Sequence, residues 1–211
     1  MPKGSKELTN ARKEEIINAC AVLYETMGFR DITIRDIGNK TSFTRTSIYN
    51  YFQTKEEIFL ALLTREHERW IKDLNTIIST HNTLSAEAFA DALAETMEKR
   101  KCMLKLMSMN LYDMEGNSRM DNLVAFKVAY ANALQAVTQC LEKFFPSMTS
   151  HDIQAFIYAF FPFLFGLYPY TTTTEKQKEA MEIANVHYAQ YSISAMTRSF
   201  VIKMLKAFEQ S

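Results

Sequence analysis

Three threonines, Thr33, Thr44 and Thr54, each stand where a helical pattern begins, and they cut the stretch from Phe29 to Phe59 into two short helices, a corner and the start of a longer helix. Thr33 is followed three residues on by Asp36, while Thr44 has Arg45, Thr46 and Ser47 in its first turn. Thr54-Lys55-Glu56-Glu57 spells a capping box, in which the hydroxyl reaches forward to the Glu57 N–H and the carboxylate reaches back to the cap. Residues 39–43 have the length of a helix-turn-helix corner. Ile37, Ile48 and Phe52 are spaced to close one small apolar core beneath it.

That packing turns Arg45, Thr46, Tyr49 and Asn50 outward. A guanidinium fork, a methyl-bearing hydroxyl, a phenol and an amide suit contact with base edges and phosphates in a major groove. The unpaired N–H groups at each helix start, Thr33 and Thr44 included, can receive a phosphate oxygen. The segment therefore predicts a DNA-reading element.

Residues 9–59 resemble the N-terminal domain of the TetR family of bacterial transcription regulators. The resemblance rests on a long first helix from Thr9 to Met27 ending in Gly28-Phe29, on Thr33-Ile34-Arg35-Asp36-Ile37 and on Tyr49-Asn50-Tyr51-Phe52. Lys55-Glu56-Glu57-Ile58, opening the fourth helix, completes it. Two features depart from the usual pattern: Thr41-Ser42-Phe43 stands at the turn where the family has Ala-Gly-Val, and Gly38 replaces a small Ala. A left-handed residue at that turn would strain Ser42. The resemblance implies phosphate contacts from Thr33, Tyr49, Asn50 and Lys55, and base reading by Arg45, Thr46 and Ser47, with Arg35 also in reach of the DNA. It further implies an all-α fold, with a DNA-binding domain over 1–54 and a helical effector-binding and dimerisation domain over 55–211.

The 211 residues give room for both domains and a sizeable core. With 24 basic and 24 acidic residues the net charge is zero, so no global field draws the chain onto nucleic acid or an anionic membrane. Binding must use local charge. From Arg35 to Lys55, four basic residues face Asp36 alone, and Lys3 and Lys6 add a possible arm. So few phosphate contacts per unit call for two units on a DNA site.

Only five glycines and no period-two alternation leave the remainder helical, about nine or ten helices in all. The pattern predicts helices over 55–79, 85–97, 101–112, 121–145, one carrying the aromatic run after Thr149 or Ser150, one resuming after the stretch Thr171 to Thr174 and running to Val186, and one over 192–209, with a loop at 115–118. Eight aromatics fall in residues 156–170. A helix apolar on nearly all sides must be covered on nearly all sides, by a partner subunit or a cavity wall. The family implies both. The dimer expectation falls on Phe156, Phe161, Phe200, Met204 and Phe208. An adaptable Met-rich pocket would draw on Met97, Met103, Met107, Phe126, Phe160 and Phe163, with Tyr112, Tyr130 and Tyr168 as polar handles. It would take a small hydrophobic or aromatic effector.

Cys20, Cys102 and Cys140 are odd in number and far apart, which points to neither a disulfide framework nor a metal site, and no cofactor is expected. The run from Ile153 to Tyr170 reads as short for a membrane span and contains two prolines and a glycine, and the N-terminus lacks an apolar leader, so a cytoplasmic protein is expected. His67, His81, His151 and His187 are accompanied by no catalytic motif, which disfavours an enzyme. The expected function is a repressor that binds a palindromic double-stranded operator as a homodimer and is released by its effector. The rival expectation is a DNA-binding regulator with no small-molecule effector, answering to a protein partner or to DNA alone.

Overall fold

The computed structural model describes residues 3–109, 111–187 and 189–209. Among them lie eleven helices: α1 Lys3–Thr26, α2 Ile34–Gly38, α3 Arg45–Ile48, α4 Lys55–Thr80, α5 Ala86–Lys99, α6 Lys101–Met107, α7 Leu111–Gly116, α8 Met120–Phe144, α9 Ser150–Thr171, α10 Glu175–Ile183 and α11 Ile193–Glu209. The all-α expectation holds. One unexpected division is that of the segment 101–112. Ser108 bonds its hydroxyl to the Lys105 carbonyl at 2.8 Å, a local competitor for helix bonds, and α6 stops at the residue before it. The chain resumes as α7, which runs to Gly116, two residues into the predicted loop. There Asn117 and Ser118 fold their side chains back onto the Asp113 and Met114 carbonyls. At the other end, α1 begins six residues ahead of Thr9, through good helix formers such as Lys6, Glu7 and Leu8.

Two compact units result, one of Met1–His67 with Asn110–Tyr130 and one of Glu68–Met109 with Ala131–Ser211. The division falls inside α4 after His67 rather than at its first residue, and the first unit takes in a segment from much later in the chain.

The first unit buries Ile16, Cys20 and Tyr24 from α1, Ile37 from α2, Ile48 from α3, and Ile58, Phe59 and Leu62 from α4. Phe59 packs edge-to-face with two rings, Tyr24 at 5.2 Å and Phe29 at 4.8 Å between centroids. In the second unit α11 packs against α5 and α9, and α6 against α9. Trp70 is fully buried there, its indole N–H donating to the Thr96 hydroxyl at 3.0 Å while its ring meets Phe161 at 5.9 Å. Phe163 stacks on Phe200 with centroids 4.2 Å apart and planes 8° from parallel. Each fully buried aromatic of this kind contributes about 1.5–3 kcal/mol relative to exposure.

Helix α9 corrects an expectation. It continues through Pro162 and Pro169 for 22 residues, a length and composition sufficient to cross a bilayer, so brevity does not argue against a span. Its place in the second unit is set by Phe156, Phe160, Phe161, Leu164 and Leu167, all buried. The corner at Ser42 carries no strain, since the non-glycine residue with positive φ among those described is Asn185.

At the start of α9, Thr149 and Asp152 form a reciprocal capping box. The Asp152 N–H donates to the Thr149 hydroxyl at 3.2 Å, and the Thr149 N–H to the carboxylate at 2.8 Å. Thr149→Ala is expected to lower unfolding stability by about 1 kcal/mol, read as a shift in the urea midpoint with an unchanged slope.

Candidate nucleic-acid interface

A helix of four residues does not form by itself, because nucleation fixes several dihedrals before hydrogen bonds repay them. α3 is such a helix. Its shape and seat must therefore come from its neighbours, and three polar tethers supply them together with the buried Ile48 and Phe52.

The first tether holds the corner before α3. Glu15, on α1, accepts the Ser42 N–H on one carboxylate oxygen and the Ser42 hydroxyl on the other at 3.1 Å, and these bonds, backbone first, lower its pKa. Beside it the Arg12 guanidinium lies 4.6 Å from the centre of the Phe43 ring. The enlarged Phe43 is thus accommodated as a cation–π partner.

The second tether holds the loop before α2. Lys55 donates from its ammonium to the Phe29 carbonyl at 2.8 Å and the Ile32 carbonyl at 3.1 Å, with the Phe29 ring centre 4.2 Å away. Two of its three N–H donors are thereby engaged within the chain. Its expected contact with DNA phosphate is left one donor, and its first role is to hold the fold.

The third tether lies beyond α3. Glu57 is fully buried and accepts from Arg119 Nε at 2.7 Å, from Arg119 Nη2 at 2.8 Å, from the Arg119 N–H at 3.0 Å and from the Gln53 N–H at 2.8 Å. Arg119 Nη2 also donates to the Tyr51 carbonyl at 3.0 Å. The predicted capping box is half formed. The Thr54 hydroxyl does accept the Glu57 N–H at 3.1 Å, but the carboxylate reaches Gln53, one residue before the cap, and turns its remaining capacity to Arg119. Burial alone would raise the Glu57 carboxyl. Arg119 and the two backbone N–H groups overcome that and hold its pKa to about 2.

On this frame Thr44, Arg45, Thr46, Tyr49 and Asn50 are exposed and Ser47 is half-buried. The Thr44 hydroxyl pairs with that of Ser47 at 3.1 Å instead of capping the helix, and Arg45 Nη2 donates to the Tyr49 hydroxyl at 3.3 Å. Arg35 is exposed on α2. Thr33 is exposed too, yet its N–H and hydroxyl both bond Asp36, at 2.9 and 2.6 Å. A phosphate contact through Thr33 requires that box to open, because its donors already serve a carboxylate.

Sequence reasoning did not identify Glu15 or Arg119. Arg119 lies 62 residues from Glu57, and no local pattern marks it.

The other expected site residues separate. Met97, Met103, Met107, Phe126 and Phe160 are buried, Phe163, Tyr130 and Tyr168 half-buried, and Tyr112 is 87 % exposed, a position that lines no interior. Phe156 and Phe161 are buried within the single chain, so they leave no surface for a partner, whereas Phe200, Met204 and Phe208 remain partly exposed.

Residues 16–62 match the bacterial regulatory proteins of the tetR family, and residues 64–206 match the tetracyclin repressor-like C-terminal domain. The chain belongs to the TetR family of bacterial transcription regulators, and its first unit carries the family's helix-turn-helix DNA-binding domain. Among curated proteins, the uncharacterized HTH-type transcriptional regulator YdgC of Bacillus subtilis (strain 168) is 35 % identical over 75 residues, 36 % of this chain and 38 % of its own length. YfiR of the same organism is 27 % identical over 96 residues, 44 % of this chain and 46 % of its own. The chain thus spans less than half the length of these relatives. Among solved structures, the fatty acid degradation regulator FadR from Bacillus halodurans superposes with a TM-score of 0.57 at 14 % identity, covering 92 % of this chain and 94 % of that one. FadR from Bacillus subtilis, in complex with stearoyl-CoA, gives 0.57 at 16 % identity over 91 % and 96 %. These likenesses carry the fold.

The Glu57 carboxyl titrates well below its ordinary value of 4.5 in the folded chain, at about 2. Because the folded value is the lower one, its stabilising contribution is complete above about pH 4.5 and is lost as pH falls toward 2. Urea unfolding of the wild type should therefore weaken across that window more steeply than unfolding of Glu57→Gln.

Proposed function

We propose that this chain represses transcription in the cytoplasm by binding a palindromic operator as an isologous homodimer, and that a small hydrophobic or aromatic effector releases it. The observation that carries the reading is the exposed row Arg45 and Thr46 on α3 with Tyr49 and Asn50 just past its end, on an element pinned from three sides. A pinned helix meets the groove with little ordering cost on binding. Arg45 is the base reader, Tyr49 and Asn50 the phosphate contacts, and Arg35 and Lys55 flank them.

Dimerisation draws support from α9. Only 28 % of its most apolar stretch is buried, and Tyr158 and Tyr170 are 73 % and 62 % exposed. Water-facing apolar surface of that kind marks an interaction site. With Phe156 and Phe161 turned inward, the outward residues of α9 and the half-buried Phe200, Met204 and Phe208 of α11 are the contacts. Two-fold pairing sets two reading helices about 34 Å apart, the spacing of successive major grooves.

An effector draws support from His67. Its Nδ1 lies 2.9 Å from the Leu63 carbonyl, which can only accept, so Nδ1 carries the proton and Nε2 presents a lone pair. That nitrogen is buried with no hydrogen-bond partner among the described residues, and its ring lies with centroid 5.8 Å from that of Phe126 and 5.9 Å from that of Tyr130. Burial also lowers the pKa of the ring, which keeps it neutral. An apolar molecule carrying a hydroxyl or amide N–H would satisfy it. The full burial of Met97, Met103 and Met107 favours the second reading, a regulator whose body is simply packed and which answers to a protein partner or to DNA alone.

Selection of bound sequences from a random duplex pool tests the proposal. A palindromic consensus is expected, and recovery of no consensus at low salt would refute it. Arg45→Ala should then relax one base position in each half-site by about 1–3 kcal/mol while leaving the others unchanged.

A further inference from the structure

We propose that Arg119 is a positioning residue for DNA reading, one that seats the distal end of α3 from a part of the chain outside the helix-turn-helix. This rests on the operator-binding reading above.

The argument starts from the end of α3. Past Ile48 the chain makes single turns, with the Asn50 N–H donating to the Ser47 carbonyl at 3.2 Å and those of Tyr51 and Phe52 to the Ile48 carbonyl at 2.8 and 3.0 Å. The carbonyls beyond lack helical partners. Arg119 supplies one to Tyr51, two residues from the outward-facing Tyr49, while its fork grips Glu57 with two charge-assisted bonds. Glu57 in turn holds the Gln53 N–H. One guanidinium and one buried carboxylate thus fix the backbone at Tyr51 and Gln53, the two sides of Phe52. The Thr54 hydroxyl reinforces the join by donating to the Asn117 carbonyl at 3.0 Å. All these residues belong to the first unit, in which 110–130 groups with the helix-turn-helix.

Arg119 keeps a side-chain exposure of 46 %, so an ordinary phosphate contact is the rival role. The two roles differ in what they change. A phosphate contact strengthens all duplexes alike and adds about one to the salt slope of binding, whereas a positioning residue affects the operator selectively and leaves the slope alone.

The test measures the dissociation constant of the full chain for its selected operator and for a random duplex across a range of salt, at a temperature where circular dichroism shows each variant folded. Arg119→Met should lower the operator-to-random affinity ratio by about tenfold, the loss of charge-assisted bonds that fix geometry, with random-duplex affinity and salt slope unchanged. Arg119→Lys keeps a cation beside Glu57 and protects the fold, but cannot serve both carboxylate oxygens and Tyr51 together, so it should lower the ratio by a smaller factor. It stands in if the Met variant does not fold. An unchanged ratio in folded variants overturns the proposal, as does an equal loss on both duplexes with a slope reduced by about one. A wild type that prefers no sequence would overturn the operator reading as well, and is thereby distinguishable from failure of this one.

Discussion

The carboxylate of Glu57 has no contact with solvent, and a charge so placed is tolerable only when every lone pair is answered. Here four donors answer it, two from the Arg119 fork and two from backbone N–H groups. Removing Arg119 would strand the charge, and removing Glu57 would leave the guanidinium to Tyr51 alone. The pair is therefore a joint whose halves depend on each other, and the corner before α8 and the reading element must move together.

The two units are held by different forces. In the second, Trp70, Phe89, Phe156, Phe160, Phe161 and Phe200 supply large non-directional burial, which tolerates some sliding. In the first, α2 and α3 are too short to bury much, and directional bonds from Glu15, Lys55 and Arg119 set their positions. A surface proposed to read the edges of base pairs gains from the directional kind.

Much of this was legible in the sequence. The cap at Thr33 forms with its side-chain oxygen, because a hydroxyl and the amide three residues ahead are local partners that sequence spacing reveals. The outward face of α3 followed from the inward spacing of Ile37, Ile48 and Phe52. What escaped were partners chosen in three dimensions. Lys55 read as a surface cation, yet its ammonium found two carbonyls 23 and 26 residues back. Glu57 read as a cap partner, and its fuller role depends on a residue 62 positions on. Phe156 and Phe161 read as interface aromatics because composition counts apolar side chains without saying which way they face. Pro162 and Pro169 read as interruptions, although each removes just one helical hydrogen bond that packing on several sides can offset.

Gly38 shows how finely the reading helix is placed. A methyl group added there would lie 3.3 Å from the Arg45 Cα and 3.4 Å from its Cβ, closer than relaxed packing allows. The height at which Arg45 stands above its supporting helix is thus governed by the missing atom at residue 38. In the proposed operator complex, depth of groove penetration would change by exchange of a hydrogen for a methyl at residue 38, with every exposed side chain of α3 kept.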